Sequence, residues 1–127
     1  MIELSKIKRI VDIEYARIVL SSEIFHDKLR VYLIDGSFVD IWFSAKIPGR
    51  FSYHWEKRHI DGRIYRHDNF PDPRWKKLST FPKHFHDGFQ EKVKESQISN
   101  DPIKAIHEFM DFIQRRIPKK TIDSNNQ

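Results

Sequence analysis

The spacing of apolar positions changes twice along the chain. Leu4, Ile7, Ile10 or Val11, and Tyr15 recur at three- and four-residue intervals with Lys6, Lys8, Arg9 and Glu14 between them, which predicts a short amphipathic N-terminal helix. The cluster Ile10, Val11 and Ile13 would equally begin a strand. From Arg17 the period drops to two, as expected of strands half-buried against a core. Arg17 to Phe25 alternates Ile18, Leu20, Ser22 and Ile24 and ends at the turn pair His26-Asp27. Lys28 to Ile34 alternates Leu29, Val31 and Leu33, Asp35-Gly36 gives a hairpin, and Phe38 to Ser44 returns. After the break Ile47-Pro48-Gly49, Phe51 to Arg58 puts Phe51, Tyr53 and Trp55 on one face and Ser52, His54 and Glu56 on the other. Asp61-Gly62 predicts a two-residue hairpin into a fifth strand, Arg63 to Asp68. A type I′ turn there would pair Arg58 with Tyr65, Glu56 with His67 and His54 with Asn69. Tyr53, Trp55, Arg66 and Asp68 would share the opposite face, and a slip of one residue would exchange the groupings.

Residues 70–90 carry three prolines and no clean period, so they read as a long ordered loop, held by Phe70, Trp75, Phe81 and Phe85. The last element is the clearest. Asp101 is an N-cap and Pro102 suits the first helical position, and Ile103, Ile106, Met110, Ile113 and Ile117 form one apolar stripe ahead of Pro118. The expected fold is therefore α+β: an antiparallel meander of about five strands with a C-terminal helix packed on one face and a short N-terminal helix. Residues 1–118 form the domain and 119–127 a polar tail.

Composition narrows the function. With 127 residues and 17 aromatics the chain makes one folded domain, with no room for two independent cores. No apolar run approaches the roughly 18–20 residues that span a bilayer, and Met1 to Lys6 lacks an apolar leader, so a cytoplasmic protein with no membrane partner is expected. Zero cysteines exclude a disulfide framework, a thiolate zinc site and a thiol nucleophile. The net charge of +5 is local: residues 46–94 hold twelve basic and six acidic side chains and five of the seven histidines. A basic stripe interleaved with Tyr53, Trp55, Tyr65 and Trp75 suits a polyanion with stackable bases; it also describes a plain solvated face.

The chemistry concentrates in Tyr53-His54, Arg66-His67-Asp68 and His84-x-His86. Together these supply what metal-free RNA cleavage requires: a base of near-neutral pKa for the 2′-hydroxyl, an acid for the leaving 5′-oxygen, and a cation for the phosphorane. His84 and His86 would also face one way in an extended segment, where His54 or Asp87 would complete a metal site, so a metal-dependent hydrolase is an alternative. No cofactor is expected: the four glycines are dispersed at turns, and no phosphate-binding loop or serine-nucleophile elbow is present.

Three segments, Phe51-Ser52-Tyr53-His54-Trp55, Gly62 through Asn69, and Thr80-Phe81-Pro82-Lys83-His84-Phe85-His86, resemble the TumE family, toxins of prokaryotic toxin–antitoxin pairs. Leu33-Ile34-Asp35-Gly36-Ser37 supplies the hairpin that precedes them in that family, and the resemblance spans residues 17–117. Lys83 stands where the family usually has the first His of its loop, and Asp72-Pro73 stand where a His often follows the Asp-Asn turn. The matching polar positions are Tyr53, His54, Arg66, Asp68, Asn69, His84 and His86. The resemblance implies a cognate antitoxin and, as is supposed of small toxins, action on RNA. On that footing His54 is the expected base, His84 or His86 the acid, Arg66 the phosphate clamp, and Tyr53 and Asp68 orient them. Lys57, Arg58, Arg63, Lys76, Lys77 and Lys83 would hold the RNA backbone. A noncatalytic nucleic-acid-binding or partner-binding module is the competing reading, and a homodimer is left open.

Overall fold

The computed structural model describes residues 2–118, so the polar tail expected at 119–127 lies outside the described residues. The chain runs α1 (Leu4–Glu14), β1 (Val19–Phe25), β2 (Lys28–Leu33), β3 (Phe38–Phe43), β4 (Phe51–Lys57), α2 (Arg58–Asp61), β5 (Arg63–Asp68), β6 (His84–Gly88), β7 (Val93–Glu95) and α3 (Pro102–Arg116). The strands form one antiparallel sheet in sequence order, β1 to β7. The architecture is α+β with a helix at each end of the chain. The five strands expected from alternation are present, and two more, β6 and β7, extend the sheet to seven.

Helix α1 forms on the spacing of Ile7 and Val11, both fully buried. Helix α3 starts where the Asp101 side chain accepts the Lys104 N–H at 3.0 Å, with Pro102 in the first turn. It buries Ala105, Ile106, Phe109, Met110 and Ile113. Both helices cover the same face of the sheet, where Leu29, Val31, Val39, Ile41, Tyr53 and Trp55 complete the core. Aromatic rings dominate where α3 meets β4 to β6: Phe112 meets Trp55, Tyr65 and Phe85 edge-on, and Phe109 lies 6.3 Å from the Tyr53 ring.

The two helices are also tied to each other. Tyr15 donates its hydroxyl to Asp111 at 2.8 Å, and His107 Nε2 meets Glu14 Oε1 at 2.9 Å while Nδ1 meets the Ile103 carbonyl at 2.9 Å. Glu14, then the Ile103 carbonyl, raise the His107 pKa above its ordinary value near 6.5, and Asp111 acts in the same direction. A histidine raised in the fold contributes its stability below the unfolded pKa and loses it as pH rises through the folded value. His107→Gln is thus expected to be less stable than the parent below about pH 6.5 and to converge with it at alkaline pH. Urea titrations across pH 5–9 read this difference; one that does not change with pH would mean that the ion pair contributes nothing.

The register of β4 and β5 departs from the expected hairpin. Arg58 to Asp61 coil into one helical turn, closed by Gly62 in the left-handed conformation at φ 79°, instead of running straight into a two-residue turn. Lys57 faces Arg63 and His54 faces Arg66, three residues away from the expected partner Asn69. An odd shift exchanges the faces of β5. Arg66 and Asp68 therefore join His54 on the face away from the helices, while Tyr65 and His67 turn toward α3. Burial pushes the pKa of His67 down to about 3, and its Nδ1 lies 2.7 Å from the Ser96 hydroxyl.

Residues 70–90 are likewise corrected in part. The segment stays irregular around a short 3₁₀ turn at Pro73–Trp75, but His84–Gly88 pairs with β5 as a strand.

Candidate functional site

Cross-strand register builds two adjacent rows on the open face of the sheet. One runs Arg30, Asp40, His54, Arg66, His86, and the other Lys28, Trp42, Ser52, Asp68, His84. The first row begins with Arg30 forked onto Asp40, at 2.8 and 2.9 Å. Its centre is Arg66, whose Nε donates to Asp68 Oδ2 at 3.0 Å. Arg66 Nη1 donates to Nδ1 of His54 at 3.3 Å, and Nη2 to Nε2 of His86 at 3.1 Å and to the Gln90 side chain at 2.9 Å. A guanidinium has five N–H donors, so among the described residues four are spoken for and one Nη1–H remains.

Those contacts set the imidazoles. His54 Nε2 lies 3.1 Å from Glu56 Oε1, so it carries the proton, and Nδ1 presents its lone pair to Arg66. Burial lowers the His54 pKa against the opposing pull of Glu56. Glu56 is itself held down to about 2 by Arg58, which grips it at 2.6 and 2.9 Å, with His54 adding to the effect. His86 donates Nδ1–H to the Gln90 carbonyl at 2.8 Å, and burial and then Arg66 lower its pKa. Both rings are thus neutral near pH 7.

Asp68 anchors the second row and is 4% exposed. It accepts the Phe70 N–H at 3.1 Å as well as Arg66, and its Oδ1 lies 3.2 Å from His84 Nε2. His84 donates Nδ1–H to the Pro82 carbonyl at 2.9 Å. The ligating atoms of Asp68, His84 and His86 all lie within 4.8 Å of one another, so among the described residues this trio could hold a metal ion. Of the third ligands expected beside His84 and His86, His54 faces Arg66 instead, and Asp87 pairs with Lys94 at 3.0 Å.

The cluster is open to solvent along two contiguous clefts. One of about 250 Å³ runs from Ser52 and Arg66 to Arg74, Trp75 and Gln90, and the second passes His54 toward Arg30 and Trp42. Five of the six residues expected at the centre, His54, Arg66, Asp68, His84 and His86, come together. Tyr53 does not: it is buried beneath α3, stacked 4.6 Å from Phe51, and burial raises its pKa.

The expected phosphate-binding residues scatter. Arg58 is exposed at the rim, held by Glu56, and Lys76 and Lys77 are exposed on the loop beyond Trp75. Lys57 sits over the Trp55 ring, 3.1 Å from Asp61. Arg63 lies on the helix-facing register of β5, near Phe89. Lys83 is tied to the Ile98 carbonyl and Asn100. Of that set Arg58 lines the second cleft, and Glu56, Gln90, Arg30, Lys28, Arg74 and Trp42, none of them expected at the site, line the clefts with it. Glu56, two positions from His54 on one strand face, was within reach of the alternation argument; the others needed the register.

A small α+β domain with a charged, histidine-rich sheet face open to solvent is the class that these features define. The family model for Toxin TumE matches residues 3–117, and the chain belongs to that family. It is accordingly the toxin of a toxin–antitoxin module, with an antitoxin as partner. No curated protein and no solved structure matches the chain. No helix among the described residues is long and apolar enough to cross a membrane.

Proposed function

We propose that the toxin is a metal-independent endoribonuclease centred on Arg66. The observation that carries this reading is the pair of neutral imidazoles, His54 and His86, one on each terminal nitrogen of the Arg66 guanidinium, beside a buried His84–Asp68 pair. A phosphodiester that takes the remaining Nη1–H and draws the guanidinium onto itself releases the His54 Nδ1 lone pair. That nitrogen accepts the 2′-hydroxyl proton, the 2′-oxygen attacks phosphorus, and the bond from phosphorus to the 5′-oxygen breaks. His84 delivers the proton to the leaving oxygen, leaving a 2′,3′-cyclic phosphate and a 5′-hydroxyl. Arg66 stabilises the dianionic phosphorane, and Glu56 and Asp68 hold the imidazoles in place. Arg58, Arg74, Lys76 and Lys77 hold the strand, and Trp42, Phe70 and Trp75 offer stacking surfaces for bases.

Incubation of the purified chain with labelled single-stranded RNA tests this. Cleavage is expected to survive EDTA and to fall by at least about 100-fold in His54→Ala with RNA affinity retained. Undiminished turnover in a folded His54→Ala overturns the assignment, and salt-sensitive binding without product in every lane favours the noncatalytic module.

A further inference from the structure

Asp68, His84 and His86 have a second property that proton transfer does not require. Both imidazoles are anchored through Nδ1–H to backbone carbonyls, His84 to Pro82 at 2.9 Å and His86 to Gln90 at 2.8 Å. That is the arrangement that orients metal-binding histidines, because it fixes the ring and turns Nε2 inward. The two Nε2 atoms converge on one carboxylate, at 3.2 Å from Asp68 Oδ1 and 3.7 Å from Oδ2. A tetrahedral ion with bonds of about 2.0–2.1 Å places its ligand atoms about 3.3–3.4 Å apart, so the three donor atoms, which lie within 4.8 Å of one another, would draw in around the ion. All three side chains are buried at the floor of the cleft that opens past Trp75, which leaves an entry path and room for a water ligand.

The focus of these donors already faces a cation. Arg66 places Nε on Asp68 Oδ2 at 3.0 Å and Nη2 on His86 Nε2 at 3.1 Å, using two of the atoms that an ion would use. Guanidinium and metal are therefore mutually exclusive at this spot. The guanidinium is partly exposed toward the cleft, so it has somewhere to go.

We propose that Asp68, His84 and His86 form a divalent-metal site of two imidazoles and one carboxylate, which a first-row ion such as Zn²⁺ occupies in competition with Arg66. Two nitrogen donors select borderline ions over Mg²⁺ and Ca²⁺, which favour oxygen. One consequence rests on the ribonuclease reading: an ion on Nε2 of His84 takes the atom that delivers the proton, so Zn²⁺ inhibits cleavage.

The test is titration of the purified full chain with Zn²⁺ against a chromophoric chelator, with Mg²⁺ as the control ion. The wild type is expected to bind one equivalent of Zn²⁺ and to melt at higher temperature with it. His84→Ala and His86→Ala are each expected to weaken binding at least tenfold, and Arg66→Ala to tighten it severalfold by removing the competing cation. Absence of binding overturns the proposal, as does unchanged affinity in folded histidine variants, which would put the ion elsewhere. Should those variants fail to fold, Arg66→Ala decides: an affinity that is unchanged or weaker overturns the site. Inhibition of RNA cleavage by Zn²⁺ but not Mg²⁺ is read separately. RNA left intact under every condition overturns the ribonuclease reading and leaves the metal site to the binding titration.

Discussion

Replacing Asp68 by Asn is expected to destabilise the domain by about 3–5 kcal/mol, the usual cost of stripping one partner from a buried ion pair. The carboxylate has almost no contact with solvent and serves Arg66, the Phe70 amide and His84 together. Asn preserves the shape and still accepts from Phe70, but its amide group sets a donor against the Arg66 Nε–H. Against a total stability of about 5–15 kcal/mol this is a large fraction, and the melting temperature should fall by about 10–20 °C. Pairing Asp68→Asn with Arg66→Met should recover part of the loss, because the cation left without its anion is then also removed. Urea unfolding of the two single variants and the double variant measures the coupling. A loss below about 1 kcal/mol for Asp68→Asn would show that water satisfies Arg66 as well as the carboxylate does.

The second large effect lies on the other face. Trp55 has no solvent exposure and sits between β4 and α3, tilted against Tyr65 at 5.4 Å and edge-on to Phe112 at 6.4 Å. Its indole N–H donates to the Ser37 hydroxyl at 2.8 Å, and Ser37 in turn donates to Asp35, so one ring fastens the β2–β3 turn to the core. Trp55→Ala should cost about 3–5 kcal/mol through the cavity it opens. Trp55→Phe keeps most of the packing and should cost about 1–2 kcal/mol for the lost hydrogen bond and reduced volume. Denaturant midpoints of the two variants separate cavity from hydrogen bond. Equal losses would place the whole effect in the Ser37 contact.

Alternation over Arg17 to Asp68 located five strands to within two residues of their ends, because each carries β-branched or aromatic residues at period two between turn pairs. The final helix was equally plain, with a capping Asp, a first-turn Pro and one apolar stripe. Strand β6 was not legible: His84-Phe85-His86-Asp87-Gly88 has no β-branched residue and follows a proline-rich stretch, so nothing local favours extension. It is a strand because the unpaired edge of β5 supplies hydrogen-bond partners for its backbone.

The candidate centre divides the same way. The motifs named its residues, but the Asp-Gly pair misled on their faces. Asp-Gly closes a two-residue hairpin and also ends a helical turn, since Gly62 adopts the same left-handed conformation in either. A local signal common to two turns cannot fix an odd or even register.

By itself, the sequence determined the α+β class, the ends of α3, the first five strands and the chemical types gathered in residues 51–86, because these depend on residue spacing and local propensity. Only the tertiary structure decided that Arg66 and Asp68 lie beside His54, that Tyr53 lies beneath the helix, and that β6 brings His84 and His86 to Asp68. Those outcomes follow from cross-strand pairing and from which face the helices bury, and both are interactions between residues far apart in the chain.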